Sequence, residues 1–104
     1  SKTGATSLSV VPAAGTLTNR SGAITTGGTA QVLMASNANR IGFSVQNLST
    51  GDLWINPLGT ASAAQPSIKL APGVYFESPV GYGSVLSVSI FGATTGQSFS
   101  ALEW

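Results

Sequence analysis

Three carboxylates (Asp52, Glu77, Glu103) and four cations (Lys2, Arg20, Arg40, Lys69) are all the charged side chains of this chain, which has neither histidine nor cysteine. Without imidazole there is no usual general base, no partner for a nucleophilic serine and no commonest metal ligand. Without thiol there is no disulfide and no thiolate metal site. A Ser-Lys dyad needs Ser-x-x-Lys spacing, which Lys69 lacks, and Lys2 sits in the N-terminal stretch outside the expected body. Glycoside hydrolysis needs two carboxylates roughly 5–10 Å apart. Strand pairing could bring Glu77 near Glu103, but no spacing signals it, and both are expected to face solvent and blunt sheet edges. Calcium needs several loop oxygens with more than one carboxylate, and only Asp52 lies in a turn. We therefore expect no catalytic residues, no metal, no cofactor and no enzymatic activity.

The glycine-rich stretches fail the same test. Gly22-Ala23-Ile24-Thr25-Thr26-Gly27-Gly28-Thr29 has Walker A glycine spacing, but Gly28 stands where the lysine belongs and no helix follows. Gly81-Tyr82-Gly83 lacks the third glycine of a dinucleotide fingerprint. Asn19-Arg20-Ser21 and Asn47-Leu48-Ser49 match a glycosylation sequon, which matters only for a protein secreted by a eukaryote. Among the aromatics, Phe43, Phe76 and Phe99 fall on faces expected to be buried. Trp54 is out of phase with Leu53 and Ile55, and Trp104 ends the chain on a face with Leu102, so both tryptophans are candidates for interface contacts.

The elements that must position these residues are strands. Residues 1–28 are Ser, Thr, Gly and Ala with brief apolar punctuation, and Pro12 and Gly27-Gly28 break any longer element. They are expected to form an extended N-terminal arm, able to span about 90 Å at about 3.3 Å per residue; a tail followed by a first strand is the other reading. Residues 29–104 are expected to form the body. There, Ile41, Phe43 and Val45 alternate with Gly42, Ser44 and Gln46, a period of two that turns one face inward. Leu53-Trp54-Ile55-Asn56 is expected to return as a hairpin. The stretch from Pro57 to Pro66 is small and uncharged, a surface loop of a kind often covered. Ala71-Pro72-Gly73 specifies a type II turn, expected to join Ser67–Leu70 to Val74–Glu77 as a second hairpin. Leu86, Val88 and Ile90 should point opposite to Ser87 and Ser89. In the last strand Phe99 and Ala101 should point opposite to Ser98, Ser100, Leu102 and Trp104. Seven or so strands and no helix predict an all-β fold, an antiparallel β-sandwich or small jelly roll, with local pairing dominant in its second half.

Composition narrows the partners. Only 7% of the 104 residues are charged while 42% are hydrophobic, at a net charge of +1. Such a chain collapses rather than staying disordered, and its nearly neutral surface favours self-association. No basic run could neutralise several phosphates, so nucleic acid is not an expected partner. No apolar run approaches the roughly 18 residues needed to span a bilayer, and no signal-peptide core follows Ser1, so no membrane partner is expected either.

The stretch Asn39-Arg40-Ile41-Gly42-Phe43-Ser44-Val45-Gln46-Asn47, continued by Gly51-Asp52-Leu53-Trp54-Ile55-Asn56, resembles small virion proteins of tailed bacteriophages. The likeness extends through Leu70-Ala71-Pro72-Gly73 and Ile90-Phe91-Gly92-Ala93-Thr94-Thr95-Gly96-Gln97. The resemblance implies a β-rich particle component, a capsid decoration or cement protein that trimerises on the head shell, assembled in the bacterial host cytoplasm. Its partners would be itself and the major capsid protein. The expected interface residues are Leu102 and Trp104 on the body, with Trp54 as a further candidate, and Leu8, Val10 and Val11 on the arm. Two other roles suit the same β architecture. One is a tail or fibre module binding a receptor or glycan, with Trp54 and Tyr82 beside polar loops; the other is a tail or head-completion ring subunit.

Overall fold

Period-two alternation and short turns produce nine strands among the described residues, 16–79 and 85–104 of a computed structural model, and no helix there. In chain order they are β1 (Thr18–Asn19), β2 (Gly22–Ala23), β3 (Gln31–Met34), β4 (Phe43–Asn47), β5 (Leu53–Asn56), β6 (Ile68–Leu70), β7 (Tyr75–Glu77), β8 (Val88–Gly92) and β9 (Ser98–Glu103). They form two antiparallel sheets. The first runs β1-β9-β4-β7, with β2 also on β9; the second runs β3-β8-β5-β6.

One winding rule explains both orders. β5 pairs with β6, β4 with β7, β3 with β8, and β1 and β2 with β9. The chain is a long antiparallel ribbon folded at the 57–67 loop, its successive rungs alternating between the sheets. That is the jelly-roll arrangement, and among the described residues it leaves four sheet edges.

Two expected hairpins are therefore arches between sheets. The turn after β6 forms as expected, with the Val74 amide donating to the Ala71 carbonyl at 2.9 Å and Gly73 at φ +82°. A tight hairpin there would set Leu70 opposite Tyr75, Lys69 opposite Phe76 and Ile68 opposite Glu77. It would mix apolar and charged residues on each face. Crossing to the other sheet lets Ile68, Leu70 and Phe76 all face inward. The strand pair β4 and β5 separates likewise, so among the described residues β5–β6 is the one pairing between consecutive strands and local pairing does not dominate the second half.

The arm boundary also moves. β1 and β2 already pair with β9, and Ile24 belongs to the core, so the described part of the expected arm is built into the body. The physical reason is that Ile24 fills the sandwich while its amide and carbonyl bond Gln97 and Gly96. Residues 1–15 lie outside the described residues.

The interior is apolar and its two ends are closed by polar groups. Phe43, Val45, Leu53, Ile55, Val88 and Ile90 fill the centre, and Phe76 packs on Phe43 at 5.8 Å between ring centroids. At one end lies an amide network. Buried Asn47 donates from Nδ2 to the carbonyls of Gly51 (2.7 Å) and Leu70 (2.8 Å) and accepts at Oδ1 from the amide and hydroxyl of Ser49. Gln97 extends it, donating to Ser49 Oγ and the Asp52 carbonyl.

At the other end Glu103, expected at the surface, is only 3% exposed. Alternation along β9 turns it inward with Phe99 and Ala101. Its Oε1 accepts from Arg40 Nε (2.8 Å) and its Oε2 from Arg20 (2.7 Å). Arg40, fully buried, also donates to the carbonyls of Leu86 and Ala35, joining β9 to the segments after β3 and before β8. Burial raises the Glu103 carboxyl, but the hydrogen bonds and charges of the two arginines outweigh it and hold the group below the ordinary glutamate range. Ile41, expected inside with Phe43, is exposed because β4 begins only at Phe43 and the amides of Ile41 and Gly42 both donate to the Trp104 carbonyl.

Candidate interaction face

The two sheets present unlike outer faces. Register places Ser100 and Leu102 of β9 beside Ser44 and Gln46 of β4, and these beside Glu77 and Tyr75 of β7. This first face mixes hydroxyls and amides with exposed Tyr75 and Leu102. On the second sheet the outward residues are Val32 opposite Ser89, Phe91 opposite Trp54, and Trp54 opposite Lys69. That face is apolar and aromatic.

The 57–67 loop is held over the second face by its own polar groups. Asn56 Oδ1 accepts from the amides of Leu58 (2.8 Å) and Gly59 (3.0 Å), while its Nδ2 donates to the Thr60 carbonyl. Ala61 is buried, and its amide donates to Ser89 Oγ at 3.0 Å. The expectation of a covered apolar loop holds for Ala61 but not for Leu58. Between this loop and the β3–β8 edge lies an open groove of about 390 Å³, lined by Val32, Leu58, Thr60, Leu86, Ser87 and Ser89 among others. Three large apolar side chains stand out at it: Leu58 is 70% exposed, Val32 64% and Leu86 49%. Apolar side chains gathered at one concavity mark a contact surface more strongly than the same residues scattered singly.

Charge is scarce on this face. Lys69 Nζ lies 3.5 Å from Asp52 Oδ2 and 6.0 Å from the centre of the Trp54 ring, so its charge is met locally. Glu77 and Glu103 lie on opposite faces of the first sheet, since Glu77 is opposite outward Ser44 and Glu103 opposite inward Phe43. They do not form a catalytic pair. Glu77 accepts a 2.7 Å hydrogen bond from the Tyr75 hydroxyl, which that bond holds above its ordinary range. Among the described residues no group of three or more His, Cys, Asp or Glu could hold a metal ion.

The interface residues expected from the sequence are divided by the fold. Leu102 is exposed on the first sheet's outer face. Trp104 follows it there, half-buried, with its ring so close over Gly42 that a Cβ at that position would lie 2.9 Å from ring atoms. Trp54 is half-buried on the second sheet. Leu8, Val10 and Val11 lie outside the described residues. Sequence reasoning missed Val32, Leu58 and Leu86. The one available signal was Leu58, a large apolar residue between two prolines; Leu86 was expected inside by its phase with Val88 and Ile90, but it precedes the strand. Neither protein-family models, curated proteins nor solved structures match this chain.

Proposed function

We propose that this chain is a virion structural protein of a tailed bacteriophage that works by binding and not by catalysis. Its role would be that of a capsid decoration or cement protein, associating with itself as a trimer and with the major capsid protein at seams of the head shell. The observation that carries the reading is the contrast between the faces. A first sheet whose outer face mixes polar side chains with Tyr75 and Leu102 stands against a second sheet whose Val32, Leu58 and Leu86 gather at an open groove, on the same outer face as Trp54 and Phe91. Interfaces of this kind draw energy from apolar and aromatic contacts while avoiding the desolvation of charge. Jelly rolls serve as capsid, lectin and cupin domains alike, so the fold does not choose among these roles. The sequence resemblance supplies the phage context.

The test is an add-back. Head shells lacking the chain are mixed with purified protein, and their thermal disruption is followed. The proposal predicts saturable binding and a higher disruption temperature, both lost in Val32→Asp/Leu86→Asp and retained in Ser100→Asp on the first sheet. Unchanged binding by the groove variant, or no binding by the parent protein, contradicts it.

A further inference from the structure

The four sheet edges are not equally defended. β6 carries Lys69, β7 carries Glu77, and the β1–β2 edge carries Arg20 between its two strands, which keep one register on β9. β3 carries no charge, and among the described residues no strand pairs with its outer side. An edge without charge or proline is a template for strand addition. Its outward Val32 and the neighbouring groove, with Leu58 and Leu86, offer sites for the alternate side chains of an added strand.

We infer that β3 and this groove receive residues 7–11 of a second copy of the chain. Ser7-Leu8-Ser9-Val10-Val11 is uncharged and alternates at its start, and Pro12, which has no amide proton to donate, marks where pairing would stop. Leu8 and Val10 would share one side of the added strand, and the groove has room for only a side chain or two.

The position where the described chain begins supports this occupant. Thr18 lies opposite Glu103, whose carboxylate holds Arg40, and Arg40 bonds the carbonyl of Ala35, the residue after β3. The described chain therefore begins at the end of the sandwich where β3 finishes, and six further residues, if extended, would reach about 20 Å from there. Direction selects a second copy over the chain's own body. Folded back on its own body, the segment would run toward that end alongside β3, in parallel; antiparallel pairing, the more stable form, is open to a strand from a neighbour. A donor segment at one place and an acceptor edge at another make a head-to-tail contact, the kind that builds a ring such as a trimer when the rotation between copies closes. The inference rests on the self-association within the proposed function, and not on the capsid partner.

Because the chain has no cysteine, introduced thiols report the contact without background. Full-length Val10→Cys and Val32→Cys variants are mixed, treated with a short thiol-specific cross-linker and sized by mass spectrometry. The expected result is a species of two chains carrying one of each variant, absent when Gln46→Cys on the first sheet replaces Val32→Cys. In a separate measurement Val32→Lys, at an exposed position, weakens self-association at least tenfold with an unchanged circular dichroism spectrum. Equal cross-linking to Gln46→Cys, no cross-linking, or cross-linking confined to single chains of the doubly substituted protein overturns the inference. Purified chain alone is used, so a failure here is separate from any failure to bind shells.

Discussion

Glu103 and Arg40 are the pair on which one end of the sandwich depends. Removing one member of a buried ion pair leaves the other uncompensated, at a cost of about 3–5 kcal/mol. Glu103→Gln should lower stability by that order in urea titrations near neutral pH, since Arg40 has no exposed side-chain surface from which to reach water. The same group sets an acid limit. Its pKa is depressed in the folded protein, so its contribution is complete above the unfolded value, near 4.5, and declines as pH falls below it. The contribution is lost once pH has passed through the lower, folded value. Between about pH 7 and about pH 3 the Glu103→Gln variant should therefore lose less stability than the parent. Equal losses would place the acid sensitivity elsewhere. The burial of Glu103 was legible in the alternation that placed Phe99 and Ala101 inward, whereas its two arginine partners are distant in sequence and carry no pairing signal. Asn47 was less legible still. It stands in turn-forming sequence, and only the closure of the strand ends around it converts a surface asparagine into a buried network.

At the scale of elements, turns and close approaches make opposite demands on glycine. Gly73 has φ +82° and open space where a side chain would go, so Gly73→Asn should cost under about 1 kcal/mol, because asparagine tolerates the left-handed region. Gly92, in β8, would bring a Cβ within 2.5 Å of Gln97 Oε1, 2.8 Å of Leu53 and 2.9 Å of Ile24. Gly92→Ala should cost about 1–3 kcal/mol as overpacking does, with loss of the bond from the Thr94 amide to Gln97. Denaturant midpoints of the two variants check both statements. Strand positions were largely readable, because Phe43 with Val45, Leu53 with Ile55, and Val88 with Ile90 each alternate cleanly. Strand partners were not. Proximity in sequence suggested hairpins, although the phase of Ile68 and Leu70 against Phe76 already disfavoured one, and the long-range rungs from β9 to β1 and β2 leave no local trace.

For the whole molecule, the deficit of charge was visible from composition, and the proposal of a protein that acts through contact starts there. The groove was hidden, because Val32, Leu58 and Leu86 are far apart in sequence and meet only once the 57–67 loop lies over β8. Jelly-roll winding makes most pairings distant, so the chain should fold slowly for its size, on the millisecond-to-second scale of non-local β proteins; stopped-flow refolding tests this. The function proposed for the finished surface is binding within a phage particle. Its most direct test is the count of this chain in purified phage particles, by quantitative mass spectrometry against the major shell subunit. The account predicts a fixed stoichiometric ratio to that subunit, maintained from one preparation to the next; absence from the particle, or only a few copies in each, contradicts it.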